Sequence, residues 1–185
     1  MRHTITRRGT RRNYNLKQSN MEAMFFISLI TLFLYLGFMY LKHGILPFIS
    51  SGYYASDVKW LFSAAMLLTA GFVLPPMLQF GDAQFLAFFS VFALMLVAAE
   101  PHFKSSWGGK IHNTAAIVAG LCSQIWCFIN SWQSATFVWV LFIIIVLFAL
   151  KWAKYKDKPI SSLKLGYWSE VTAFANMYVS LWLIM

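Results

Sequence analysis

The chain has 185 residues, 59% of them hydrophobic, 18% aromatic and only 11% charged, with a formal net charge of +9. Soluble domains carry about 25% charged residues, so this composition excludes a water-soluble globular protein, and a chain this apolar cannot stay solvated in a disordered state. What remains is an all-α, multi-pass transmembrane bundle, because barrel strands alternate in polarity whereas the long runs here are apolar all round.

Residues 1–22 read as a basic amino-terminal arm. It carries Arg2, Arg7, Arg8, Arg11, Arg12 and Lys17 with no acid before Glu22. Three readings of this arm stay open: an anchor on an anionic lipid leaflet, a nucleic-acid contact helped by Tyr14, and an organellar targeting segment. The remainder, 23–185, reads as one domain of six helices.

The six runs are 23–41, 60–78, 83–99, 113–129, 135–150 and 165–185. A helix needs about 17–25 residues to span the hydrocarbon, so the shorter runs are expected to borrow a turn from their flanks, with Trp132 and Trp152 as interfacial anchors of the fifth. The first run resembles a secretory signal in its basic flank, but Phe38-Met39-Tyr40-Leu41-Lys42 offers no small-residue cleavage site and the run is read as a retained helix. Pro75-Pro76 is expected to end the second helix. Asn113 or Thr114 is expected to cap the fourth, just after a flexible Gly108-Gly109. Within it, Ala116-x-x-x-Gly120 is a small-residue spacing that suits close helix approach and self-association. Cys122 and Cys127, five apart on one helix, neither bridge nor share a metal.

The connections 42–59, 100–112 and 151–164 are long, while 79–82 and 130–134 are short. With six crossings, the long connections share one face and the short turns share the other with both termini. Charge gives two answers on orientation. The arginine-rich arm argues for cytoplasmic termini, whereas nine lysines on the long-connection face argue the reverse. The first helix usually dominates this choice, so both termini are placed on the cytoplasmic side.

This parity gathers the reactive side chains at one face. Ser50, Tyr53, Tyr54, Asp57, Glu100, His112 and Glu170 are the candidates for a polar pocket that takes a lipid headgroup or a small polar ligand. Glu170 stands out, since an ionisable group inside an apolar run normally faces a bundle interior or a wet cavity. The bland alternative pairs it with Lys164, Tyr167 or Trp168. Asp57 has an equally plain reading as an acid at the start of the second helix, favoured by the helix dipole. His43, His102 and His112 are weak zinc-ligand candidates, because no fixed-spacing metal motif accompanies them. No G-x-S-x-G elbow supports serine catalysis.

Pro47-Phe48-Ile49-Ser50-Ser51-Gly52-Tyr53-Tyr54 resembles the P-x-I-S-x-x-Y-Y signature of uncharacterised bacterial six-to-seven-helix membrane proteins, loosely DRAM-like and distantly related to the CREST superfamily that includes alkaline ceramidases. Ile111-His112-Asn113-Thr114-Ala115-Ala116 and Trp168-Ser169-Glu170-Val171-Thr172-Ala173-Phe174 are similar to two further stretches of that group. The resemblance implies six helices, cytoplasmic termini and an outer-face site near Ser50, His112 and Glu170. It also implies, as an alternative, a zinc-dependent lipid amide or ester hydrolase, with Ser50, Asp57 and His112 in matching positions and the paired histidines of the superfamily's final helix missing. A self-associating pore with a basic arm is a third reading.

Overall fold

The computed structural model describes residues 3–102, 104 and 106–185, and of residues 3–15 it describes only the backbone. Among them the chain is helical, with no strand. The long helices are α1 (His3–His43), α3 (Trp60–Phe80), α4 (Gln84–Ala99), α5 (Ser106–Tyr155) and α6 (Leu165–Ile184), and α2 (Gly52–Ala55) is a single turn. One 3-10 turn (Ile49–Ser51) precedes α2 and another (Ile160–Leu163) precedes α6. Three helices are long and apolar enough to cross a membrane: Leu16–His43 within α1, α3, and α5. Gln84–Ala99 is a shorter apolar helix.

α5 is two helices in one. Ser131 has φ −155° and ψ 59°, outside the helical region, and the chain reverses there. In a straight helix Gln124 and Trp139, fifteen positions apart, would lie about 22 Å from each other at 1.5 Å per residue. Instead Trp139 Nε1 donates to Gln124 Oε1 at 2.9 Å. The limbs 106–130 and 132–155 therefore pack as a hairpin with almost no loop, where the sequence suggested a five-residue turn.

Each helix packs mainly on the next in the chain: α1 on α3, α3 on α4, α4 on α5, and α5 on α6. The two ends of the bundle follow from side-chain contacts. At one end the backbone N–H of Ile49 donates to Glu170, Tyr53 reaches His102, and Lys104 N–H reaches Tyr54. The connection after α1, the one after α4 and the start of α6 thus meet. At the other end Asn130 clamps the α3–α4 turn, accepting the Asp82 N–H at 2.6 Å and donating to the Asp82 carbonyl at 3.2 Å. Ala83, which opens α4 from the left-handed region with φ 53°, is held in this turn. Trp182 packs on Phe25 and Phe26 toward the same end.

Several sequence expectations are corrected. α1 begins at His3, so the backbone of the arm continues the first helix; the arm's arginine side chains lie outside the described residues. Pro75 and Pro76 lie inside α3, which runs on to Phe80. The disfavour for helix before a proline is outweighed here, because Pro76 and Met77 are buried and the packed neighbours hold the turn in place. The first limb of α5 starts at Ser106, so neither Asn113 nor Thr114 is a cap, and Gly108 and Gly109 are buried helical residues rather than a flexible link. Asp57 is three residues ahead of α3 and pairs with Lys42 rather than resting on the helix dipole.

The core is apolar, with Trp126, Phe62, Met66, Met77 and Leu181 fully enclosed. Two polar clusters tie it together. The hydroxyl of Ser28 donates to the Thr69 carbonyl at 2.8 Å and is 2.5 Å from the Tyr178 hydroxyl, joining α1, α3 and α6. Gln124 Oε1 accepts from Asn176 Nδ2 at 2.7 Å as well as from Trp139, and its Nε2 donates to the Ala173 carbonyl. Gln124→Leu strips two donors of their acceptor in an apolar setting, and thermal unfolding in detergent is expected to show a loss of about 1–3 kcal/mol. An unchanged melting temperature would mean that the hairpin is held by packing alone.

Candidate functional site

Ile49 opens a 3-10 turn whose preceding residue, Phe48, supplies no side-chain cap. The first N–H groups of a helical turn have no partner within it, and Ile49 is buried. Glu170, one and a half turns into α6, fills the gap: its Oε2 accepts the Ile49 N–H at 2.6 Å. The acid therefore points inward rather than to Lys164, and it caps a turn 121 positions away in the chain.

Beneath this contact lies a cavity of about 120 Å³. Ser50, His112 and Glu170 border it, and its walls are Phe62, Met66, Val73, Val91, Leu94, Val97, Phe174 and Met177. On α6 the lining runs from Glu170 to Met177, and on α5 from His112 to Ser123. These spans correspond to about 10 and 16 Å of helix at 1.5 Å per residue, so the cavity is a narrow slot directed into the bundle. The two deeper hydroxyls are turned into the backbone, Ser90 toward the Ala119 carbonyl and Ser123 toward the Gly120 carbonyl. The slot is thus polar at one end and apolar below. Ala116 and Gly120 also line it, which places the small-residue spacing against the interior.

His112 is buried, and its Nδ1 lies 2.9 Å from the Glu100 carbonyl oxygen. A carbonyl only accepts, so Nδ1 carries the proton; in the neutral ring Nε2 is then the acceptor. The Glu100 carboxylate turns the other way, with Oε1 3.3 Å from His102 Nδ1, and His102 Nε2 is 2.9 Å from the Tyr53 hydroxyl. Tyr53 and Asp57 line a shallow depression at the end of the bundle together with His102.

The seven pocket candidates therefore divide. Ser50, His112 and Glu170 share the slot; Tyr53 and Asp57 share the surface depression; Glu100 joins the two levels. Tyr54 lines neither, though its ring stands edge-on to Tyr53 at 5.1 Å; its hydroxyl accepts the Lys104 N–H at 3.1 Å and its ring lies under the Lys104 ammonium at 4.4 Å. Asp57 is fully exposed and bonded to Lys42 at 2.9 Å, and that ammonium holds its carboxyl below the usual carboxylate range. Among the described residues no three His, Cys, Asp or Glu side chains come within reach of one metal ion, so His43, His102 and His112 are not gathered into a zinc site. The histidines sit on three different segments, and His112 is turned inward by the Glu100 carbonyl while His102 is exposed.

The apolar walls of the slot and the two backbone groups that orient its acid and imidazole were not foreseen. The walls follow the same pattern as any buried helix face, and backbone partners leave no trace in side-chain identity. No protein-family model, no curated protein and no solved structure matches the chain.

Proposed function

We propose that this protein is a multi-pass membrane protein that holds a single-chain amphiphile, with the polar head at Ser50, His112 and Glu170 and the apolar chain in the slot between α3, α4, α5 and α6. The observation that carries this reading is the polarity gradient of the cavity: one acid, one imidazole and one hydroxyl at its end, aliphatic and aromatic walls below. Size limits what is enclosed: a cavity of about 150 Å³ accommodates a benzene ring and this one is near 120 Å³, so it holds about six carbons of a single chain and the rest of a longer chain extends out of the slot. The lipid headgroup inferred from sequence becomes one end of a ligand that is mostly hydrocarbon. The zinc-dependent hydrolase implied by the resemblance lacks a gathered ligand set among the described residues, and no feature of the slot favours a pore.

Filling the slot tests the reading. A Cβ at Gly120 meets no atom within 4 Å, so Gly120→Leu has room to enter the cavity. The variant is expected to keep its melting temperature and lose at least tenfold in affinity for a single-chain probe such as dodecanol. Undiminished binding would place the probe elsewhere.

For the bundle as a whole we infer six crossings, the hairpin of α5 supplying two, with both termini and the short turns on the cytoplasmic side and the arm resting on anionic lipid. Cysteines introduced at Ser51 and Ser106, in a Cys122→Ser, Cys127→Ser background, are expected to react with an impermeant thiol reagent from one side of the membrane, opposite the arm. Labelling from opposite sides would overturn the six-crossing arrangement.

A further inference from the structure

We propose that the head of the ligand is cationic, an amine carried on an unbranched apolar chain, and that Glu170 is its counter-ion; this rests on reading the slot as an amphiphile site. The slot is bordered by one carboxylate, and among the described residues that line it there is no lysine or arginine. Two of the lysines at that end are committed elsewhere, Lys42 to Asp57 at 2.9 Å and Lys104 to the ring of Tyr54, and the nearby Lys59, Lys110 and Lys164 do not line the slot. Glu170 receives a single backbone N–H, from Ile49, on Oε2. The phenols of Tyr35 and Tyr167 lie near enough to feel the Glu170 charge, and His112 borders the same slot. None of these is a fixed cation.

A carboxylate beside apolar walls loses hydration, and one hydrogen bond does not replace it. An ammonium head entering the slot supplies both the missing charge and several donors. The acceptors are already in place, the carboxylate of Glu170 and the hydroxyl of Ser50, with the His112 ring bordering the same end. An anionic head would meet the same carboxylate with repulsion, and a neutral alcohol would leave its charge unmatched. The chemistry at the polar end therefore discriminates by sign, while the walls accept any slender chain.

The test compares three probes of equal chain length, dodecylamine, dodecanol and dodecanoate, on the full-length protein released from maltoside micelles at pH 7, with bound adducts counted by native mass spectrometry. The amine is expected to form adducts at least tenfold more than the carboxylate, with the alcohol between. Glu170→Gln is expected to bring the amine-to-carboxylate ratio close to one while alcohol adducts persist. Glu170→Asp should retain the preference, and Asp82→Asn, an acid at the opposite end, should leave it unchanged. Equal amine and carboxylate adducts on the unmodified protein, or a preference that survives Glu170→Gln, would overturn the cation assignment and leave the amphiphile reading standing. Absence of adducts with all three probes would overturn both.

Discussion

Glu170→Leu is expected to lower the stability of the detergent-solubilised protein by about 1–3 kcal/mol, the range for a buried donor left without its acceptor, whereas Glu170→Gln is expected to stay near the parent. The difference comes from one backbone group. The Ile49 N–H is buried at the start of a 3-10 turn and Glu170 Oε2 is its acceptor at 2.6 Å. Leucine removes that oxygen; glutamine keeps an oxygen in reach. Leucine also adds no useful packing at the polar end, where Ser50 and His112 remain. Thermal denaturation of the three proteins in the same detergent checks the order. Equal melting temperatures for the glutamine and leucine variants would show that the carboxylate turns outward to the membrane surface.

Gly81→Ala is expected to cost about 1–3 kcal/mol, as overpacking of a filled core does, although one methyl group is all that it adds. Gly81 has an ordinary extended backbone, φ −96° and ψ 151°, so conformation is not what demands glycine. The indole of Trp126 abuts this position, and a Cβ here would overlap its ring. Trp126 is completely enclosed and has nowhere to move, and Asn130, one turn further along α5, holds the same turn through Asp82. Reducing the indole should relieve the overlap. In a double-mutant cycle Gly81→Ala is expected to cost markedly less when combined with Trp126→Phe than alone. Additive losses would mean that the two residues do not share this space.

Much of the fold was legible because the signal is coarse and physical. Long apolar runs separated by charged connections leave few arrangements, and the alternation of long and short connections brings 42–59 and 100–112 to the start of α6, as the Ile49–Glu170 and Tyr53–His102 contacts do. The boundaries were less legible. Pro75-Pro76 reads as a stop from local chain preference, yet the burial of Pro76 and Met77 carries the helix past it. Gly108-Gly109 reads as a flexible link, yet both are buried residues within the first limb of α5. Glu170 was legible as an ionisable group in an apolar run; its partner was not, because any residue at position 49 except proline offers the same N–H. The slot itself has no signature, since Phe62, Val91 and Met177 would be chosen equally for a solid core.

The neighbour-on-neighbour packing of the helices carries a consequence for how the molecule comes into being. Contacts that are near in sequence form early and at small entropic cost, so α1 with α3, then α4, then the doubled α5 form a growing stack in the order of synthesis. The slot is not present at any of these stages. Its fourth wall, and the acid at its mouth, arrive only with α6, which also brings Asn176 to Gln124 and Tyr178 to Ser28. A ligand waiting in the bilayer would meet an open cleft until that moment and a narrower, still partly open slot afterwards, so the slot can be loaded during assembly as well as later.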